Sequence, residues 1–393
     1  MYKKFVVTYV VLLLLLLLVS TPLIVLLYKH SEISDYDDLI EKQQAQGAIF
    51  ASLLDQNTMP YKLELIDYRK PNVVAIGSST SMQFREDFFA KNSEFINAGG
   101  AAASVEDLYR FSEAMLIRHK PDLVILGIDF WWVNPNRSNP VRPIAGTLPE
   151  FNFRKVIDTA RFLWSVEDPM FLFGNVLNYS SAMIHPKSGL PVIGFSALTS
   201  SDGYRPDGSR LYYQYVAGQR KSADVNFNGT LQRIEQNRSR FDYASELDFA
   251  SYRILLNTIQ LYKTHNVATV VFLPPVAPVI ADLLESMTDE YKYISELKKE
   301  AKRNGWYDYL TPNTISRNEC EFIDGFHMGD VLAQRLLIDL AHDRPLVGSH
   351  LNHEIIRHNI EKFSGHILSL MPSDQLVDEL VEIDFLGLGC NKG

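Results

Sequence analysis

The chain has very little cysteine: only Cys320 and Cys390 among 393 residues. Two thiols exclude a disulfide-dense scaffold and any zinc site built on four thiolates. It also lacks any long Lys/Arg run, and its 38 basic residues are outnumbered by 47 acidic ones, for a net charge of −9. A nucleic-acid backbone is therefore not an expected partner. There is no internal repeat and no Gly-rich phosphate loop of Walker type, so no nucleotide cofactor is expected. What is present is an ordinary globular composition, 46% hydrophobic and 22% charged. The length suffices for a substantial core in one large or two ordinary domains.

One long apolar run stands at the start. Phe5 to Leu27 carry no charge. At 1.5 Å per residue they reach about 34 Å, which predicts one N-terminal transmembrane helix contacting the bilayer through residues 5–27. Lys3 and Lys4 precede the run, while Glu32, Asp35, Asp37, Asp38 and Glu41 follow it. That asymmetry predicts a cytoplasmic N-terminus, a single pass through the inner (plasma) membrane, and export of the remainder to the periplasm. A cleaved signal peptide is the competing reading, weakened by the length of the run and the absence of an A-x-A-like site.

Exported cysteines can pair, and a Cys320–Cys390 bond would pin the C-terminal tail beside residues 320–330; two free thiols are the alternative. Sequons at Asn136, Asn178, Asn228 and Asn237 arise readily in a chain rich in Asn and carry little weight.

Residues 1–28 read as the cytoplasmic tip and anchor, and residues 29–70 as a polar stalk or first helix. From Pro71 the pattern changes. VVAIG at 73–77 reads as a buried strand, followed by a helix at about 80–91 and a short strand at 94–97. Residues 104–119 have helical spacing with Ser104 as N-cap, and LVILGIDF from Leu123 reads as a third strand. Strand, helix, strand, helix, strand is the pattern of a parallel α/β sheet. The rhythm breaks over 134–245, a long insertion expected to form a lid or substrate-facing subdomain. It returns with a helix at about 246–265, a strand at 267–275, a helix at about 279–304 and a site segment at 320–341. A helical tail is expected over 345–393.

Ligand sites in open parallel sheets form at the C-terminal ends of strands. The first core strand ends Gly77-Ser78-Ser79-Thr80-Ser81. A serine in a Gly-flanked turn there can act as a nucleophile, or can simply cap a helix. Phe322-Ile323-Asp324-Gly325-Phe326-His327 supplies the complement. An Asp three residues before a His, at the start of a helix, can hold Nδ1, leaving Nε2 to take a proton from a serine. The order matters: serine after the first core strand, Asp and His after the last. Phe130, Trp131 and Trp132 follow the third strand and can stack on sugar faces or pack in the core. Pro274-Pro275 are expected to shape the cleft floor. His350 and His353 have spacing that can hold a metal, but solvated helix positions account for them better.

The layout resembles the SGNH/GDSL hydrolase superfamily, especially its membrane-anchored extracytoplasmic branch, which includes the alginate acetylation proteins and the D-alanyl transfer protein of teichoic acid. The resemblance covers roughly residues 71–130 and 267–341. Gly77-Ser78-Ser79 occupies the first block, which implies Ser79 as nucleophile, and Asp324 and His327 match the last. In the second block Asn97-Ala98-Gly99-Gly100-Ala101-Ala102 keeps the Asn, with Ala102 where a Gly is usual. The resemblance implies an oxyanion hole from the amides of Ser79, Gly99, Gly100 and Ala102. In the third block Gly127-Ile128-Asp129 places a carboxylate where an Asn donor is usual. An ionised Asp129 would repel an oxyanion, so it is either protonated or has another role, or Trp131, Trp132 or Asn134 supplies the donor. The implied fold is a three-layer α/β/α domain over 71–341 around a flavodoxin-like parallel sheet. The implied activity is serine-dependent ester chemistry: O-acyl transfer to, or removal from, an envelope or exported polysaccharide. A multi-span membrane partner would deliver the acyl group, and no metal is required. Two competitors stand beside it: a catalytically idle carbohydrate-binding or assembly subunit of the same fold, and a simple periplasmic esterase.

Overall fold

The computed structural model describes residues 2–29, 31–32, 34–53, 57–137, 142–143, 190–369 and 382–392. Much of the expected insertion, including Asn178, and part of the tail lie outside these residues. The core is a five-stranded parallel sheet: β1 (Val73–Gly77), β2 (Phe95–Gly99), β3 (Leu123–Gly127), β4 (Ala268–Leu273) and β5 (Tyr307–Asp308), in the order β2-β1-β3-β4-β5. Every residue of β1, β2 and β3 is buried. That requires cover on both faces and explains why β1 and β3 read as unbroken apolar runs. Helices Thr58–Arg69, Val105–Arg118 and Phe249–Thr264 pack side by side, and the Tyr262 hydroxyl meets the Ser112 hydroxyl at 2.6 Å between the last two. Ser104 caps its helix by accepting from the Asp107 amide.

Several elements depart from expectation. Residues 29–70 do not stand off as a stalk. Helices Tyr36–Gln46 and Thr58–Arg69 bury Leu39, Ile40, Met59, Leu63 and Ile66 in the main core. Ile49–Phe50 joins a second, four-stranded sheet with Val192–Ile193, Gly203–Tyr204 and Arg210–Leu211. Residues 80–91 form two short 3-10 turns, Ser79–Ser81 and Glu86–Phe88, not an α-helix. The segment at 279–304 is two helices, Pro278–Ser286 and Lys292–Arg303, with the buried Tyr291 between them donating to the Phe241 carbonyl at 2.7 Å.

The expected transmembrane helix needs a correction. Tyr2–Lys29 is one α-helix, but among the described residues no helix is long and apolar enough to cross a membrane. At the end of the apolar run Leu27 is buried, and its carbonyl accepts from the Glu32 amide at 2.9 Å. Just beyond it, the Glu32 carboxylate accepts from the Ser52 hydroxyl and from the amides of Leu53 and Phe195.

The cysteines pair. Cys320 and Cys390 are disulfide-bonded with Cα atoms 5.8 Å apart, and Lys392 Nζ donates to the Cys320 carbonyl at 2.9 Å. The C-terminal tail is thereby fixed next to residues 320–330.

Candidate active site

The strand ends are built to let one turn lie across them. A Cβ at Gly77 or Gly127 would collide with the Ser81 hydroxyl, and one at Gly99 would come within 2.9 Å of the Met82 nitrogen and the Ser81 carbonyl carbon. Gly100 sits at φ 84° in the left-handed region. Asn97 ties the turn down, donating from Nδ2 to the Ser81 and Phe84 carbonyls at 2.9 and 2.8 Å. The turn thus starts directly at the end of β1, with Ser79 as its first residue.

The capping and nucleophile readings divide between neighbouring serines. Ser78 caps the turn, its hydroxyl accepting from the Thr80 amide at 3.3 Å. The Ser79 hydroxyl is left for His327, whose Nε2 lies 2.8 Å from Ser79 Oγ. His327 Nδ1 lies 2.7 Å from Asp324 Oδ2. Asp324 Oδ1 accepts from the amides of Phe326 and His327 at 2.9 Å each. Burial pushes the Asp324 carboxyl up, but the His327 ring and the two amides outweigh it and hold the group below its ordinary range. Asp324 therefore stays ionised, with its charge aimed along the ring of His327.

Asp324 ends the strand Phe322–Asp324 and His327 begins His327–Met328, so the pair spans a tight hairpin and does not open a helix. The hairpin is fixed from outside. Asp224 accepts from the Gly325 amide at 2.8 Å and from the Thr230 amide and hydroxyl, while the Ala277 amide donates to the Gly325 carbonyl at 2.9 Å. The described end of the insertion therefore buttresses the Asp–His pair, a role no sequence signal announced.

The proposed oxyanion amides fare unequally. The Gly99 amide donates to Asn97 Oδ1 at 2.6 Å, that of Gly100 to the Gly77 and Ser78 carbonyls, and that of Ala102 to the Gly77 carbonyl at 3.4 Å. Those three amides serve the fold. Thr58 and Arg142 further brace the loop by donating to its Gly100 and Ala101 carbonyls. Of the four amides, that of Ser79 is the one that makes no hydrogen bond among the described residues.

Asp129 does not face the serine as an exposed carboxylate. It is 1% exposed, its Oδ1 accepts from the Thr80 hydroxyl at 2.8 Å, and its Oδ2 has no partner among the described residues. Burial pushes its carboxyl up against the opposing pull of the Ser78 and Thr80 hydroxyls and of Arg240 and Arg137. It lines a small cavity with Thr80, Trp131, Pro274, Pro275 and Phe326.

Trp131 and Trp132, at 2% and 0% exposure, are core residues and not a sugar platform at a cleft mouth. Trp131 packs edge-on against Phe326 at 5.8 Å, and Phe326 lies 4.2 Å from the His327 ring. Asn134 is buried as well, donating to the Asp242 carbonyl and accepting from the Asn136 amide, so it folds its own loop. His350 and His353 have separate partners, Ser93 Oγ and the Gly348 carbonyl. Among the described residues no cluster of His, Cys, Asp and Glu could hold a metal.

The arrangement is a Ser–His–Asp hydrogen-bonded chain at the C-terminal edge of a parallel α/β sheet, able to move a proton off a serine and back. No protein-family model, curated protein or solved structure matches this chain.

Proposed function

We propose that this protein carries out serine-dependent acyl-ester chemistry of the SGNH hydrolase type, most simply O-acyl transfer to, or removal from, a cell-envelope or exported polysaccharide. The observation that carries the reading is the unbroken chain from Ser79 Oγ through His327 to Asp324, with links of 2.8 and 2.7 Å. Ser79 Oγ attacks the ester carbonyl as its proton passes to His327 Nε2, forming the new C–O bond. The tetrahedral intermediate expels the alcohol, which takes that proton, and leaves an acyl-Ser79 ester. A second hydroxyl, from water or from a sugar, then gives its proton to His327 and attacks the acyl carbon. Ser79 recovers its proton as the acyl group departs. Water makes the protein an esterase; a glycan hydroxyl makes it a transferase, with a multi-span membrane partner as the source of acyl groups. The Ser79 amide is the oxyanion donor the site keeps open.

The Cys320–Cys390 bond supports an extracytoplasmic location, because structural disulfides persist in oxidising compartments. A second reading, an idle glycan-binding subunit, is favoured by the commitment of the Gly99, Gly100 and Ala102 amides to the fold. Hydrolysis of 4-nitrophenyl acetate by the full-length protein separates the two. The enzyme reading expects turnover that falls by at least about a thousandfold in Ser79→Ala. Equal rates in both proteins would leave the binding-subunit reading.

A further inference from the structure

Three arginines gather over the two rings that lead to the histidine. The Arg137 and Arg240 guanidinium carbons lie 5.8 and 5.5 Å from the centre of the Trp131 ring. Arg240 and Arg233 lie 5.2 and 5.6 Å from that of Phe326, the residue whose ring is 4.2 Å from His327. All three side chains are half-buried, and none makes an ion pair among the described residues. Arg137 Nη1 is buried without a hydrogen-bond partner among the described residues. Aromatic faces attract cations, but they do not replace the hydrogen bonds a buried guanidinium loses when it leaves water.

The group is also held there against resistance. Burial and the neighbouring charge of Arg240 both pull the Arg137 guanidinium below its ordinary value, with Asp129 and Asp242 opposing. Arg240 stands at φ 82°, after Ser239 at 55° and Asn237 at 51°. Non-glycine residues adopt that region at a cost, and such strain collects at functional sites. Like charges drawn together, one of them on strained backbone and one with a buried unused donor, and no carboxylate in ion-pair contact among the described residues, lack one component: a bound anion.

We propose that Arg137, Arg233 and Arg240 bind an anionic group of the substrate, a carboxylate or a phosphate, above Trp131 and Phe326 and beside His327. The catalytic consequence rests on the Ser79 reading: the charge belongs to the part of the substrate next to the ester, because Phe326 and His327 are consecutive. Guanidinium groups present paired donors that match either oxyanion, and a planar carboxylate can be held by two at once.

Matched esters test this in the full-length protein. 4-Acetoxybenzoate and 4-acetoxyphenyl phosphate carry the charge, while methyl 4-acetoxybenzoate does not. The expected kcat/KM ratio of charged to neutral ester exceeds about tenfold, resides mainly in KM and shrinks with added salt. It falls towards one in Arg240→Gln and in Arg137→Gln and is partly restored in Arg240→Lys. The two charged esters distinguish carboxylate from phosphate. Calorimetric binding of 4-hydroxybenzoate and of inorganic phosphate to Ser79→Ala gives a readout independent of turnover, and circular dichroism verifies folding. If no ester turns over but binding persists and needs Arg240, the anion site stands and the catalytic reading fails. If the esters turn over at equal rates and neither anion binds, the anion site is overturned and the catalytic reading stands.

Discussion

Replacing Asp324 by Asn isolates the charge that orients His327. In the native site Oδ1 accepts from the Phe326 and His327 amides at 2.9 Å, while Oδ2 accepts from His327 Nδ1 at 2.7 Å. An Asn has one carbonyl oxygen for these two duties. Turning it to the ring would set its NH2 group against two backbone amides, at about 1–3 kcal/mol for each donor stranded. The oxygen therefore stays on the amides and the NH2 group faces Nδ1. That nitrogen must then accept, which moves the ring proton to Nε2 and presents Ser79 with a donor where a base is required. The expected loss is about 10⁴-fold in kcat, or roughly 5.4 kcal/mol at about 1.36 kcal/mol per decade. Ester hydrolysis in Asp324→Asn, with folding verified by circular dichroism, measures it. A kcat within tenfold of the native value in a folded protein would refute the argument. The native carboxyl is also held below its ordinary value, so its stabilisation is present above the unfolded-state pKa and is lost as pH falls through the folded one.

Gly99→Ala puts a Cβ within 2.9 Å of the Met82 nitrogen and the Ser81 carbonyl carbon, so the turn carrying Ser79 must shift. We expect about 1–3 kcal/mol of destabilisation by urea titration and at least about tenfold lower esterase activity. Cys320 and Cys390 are separated by 70 residues, which corresponds to about 4 kcal/mol of loop-closure stabilisation. Denaturation of the native protein and Cys390→Ser should differ by that order, and equal midpoints would contradict it. Asp202 is 8% exposed, and burial pushes its carboxyl up to about 6. A raised folded pKa means stability is lost as pH rises from the unfolded value through 6. Asp202→Asn should remove roughly 2–3 kcal/mol of that decline, measured by urea titrations at acidic and neutral pH.

The central strands were legible because burial on both faces writes itself as an unbroken apolar run, as at Val73–Gly77 and Leu123–Gly127. Ser79, Asp324 and His327 were legible because each lies in a short local motif at a strand end. What escaped had no local signature. The Asp324–His327 hairpin is held by Asp224, about a hundred residues away in sequence, and Arg137, Arg233 and Arg240 converge from segments with no shared period. β5 has two residues, as does each strand of the second sheet, too few for a periodic pattern. Residues 80–91 carry helical composition, yet the glycine-lined strand ends hold Ser81 and Met82 so closely that the chain leaves β1 in the 3-10 turn Ser79–Ser81. Hydropathy alone marked Phe5–Leu27 as a span. It could not register that Leu27 is buried, or that Glu32 is fixed to Ser52, Leu53 and Phe195.

The most direct test is to treat the folded full-length protein with a serine-directed fluorophosphonate and map the modified peptide. An activated nucleophile predicts labelling at Ser79 that disappears in His327→Ala. A folded protein that takes no label at Ser79, or takes it equally without His327, would contradict the account.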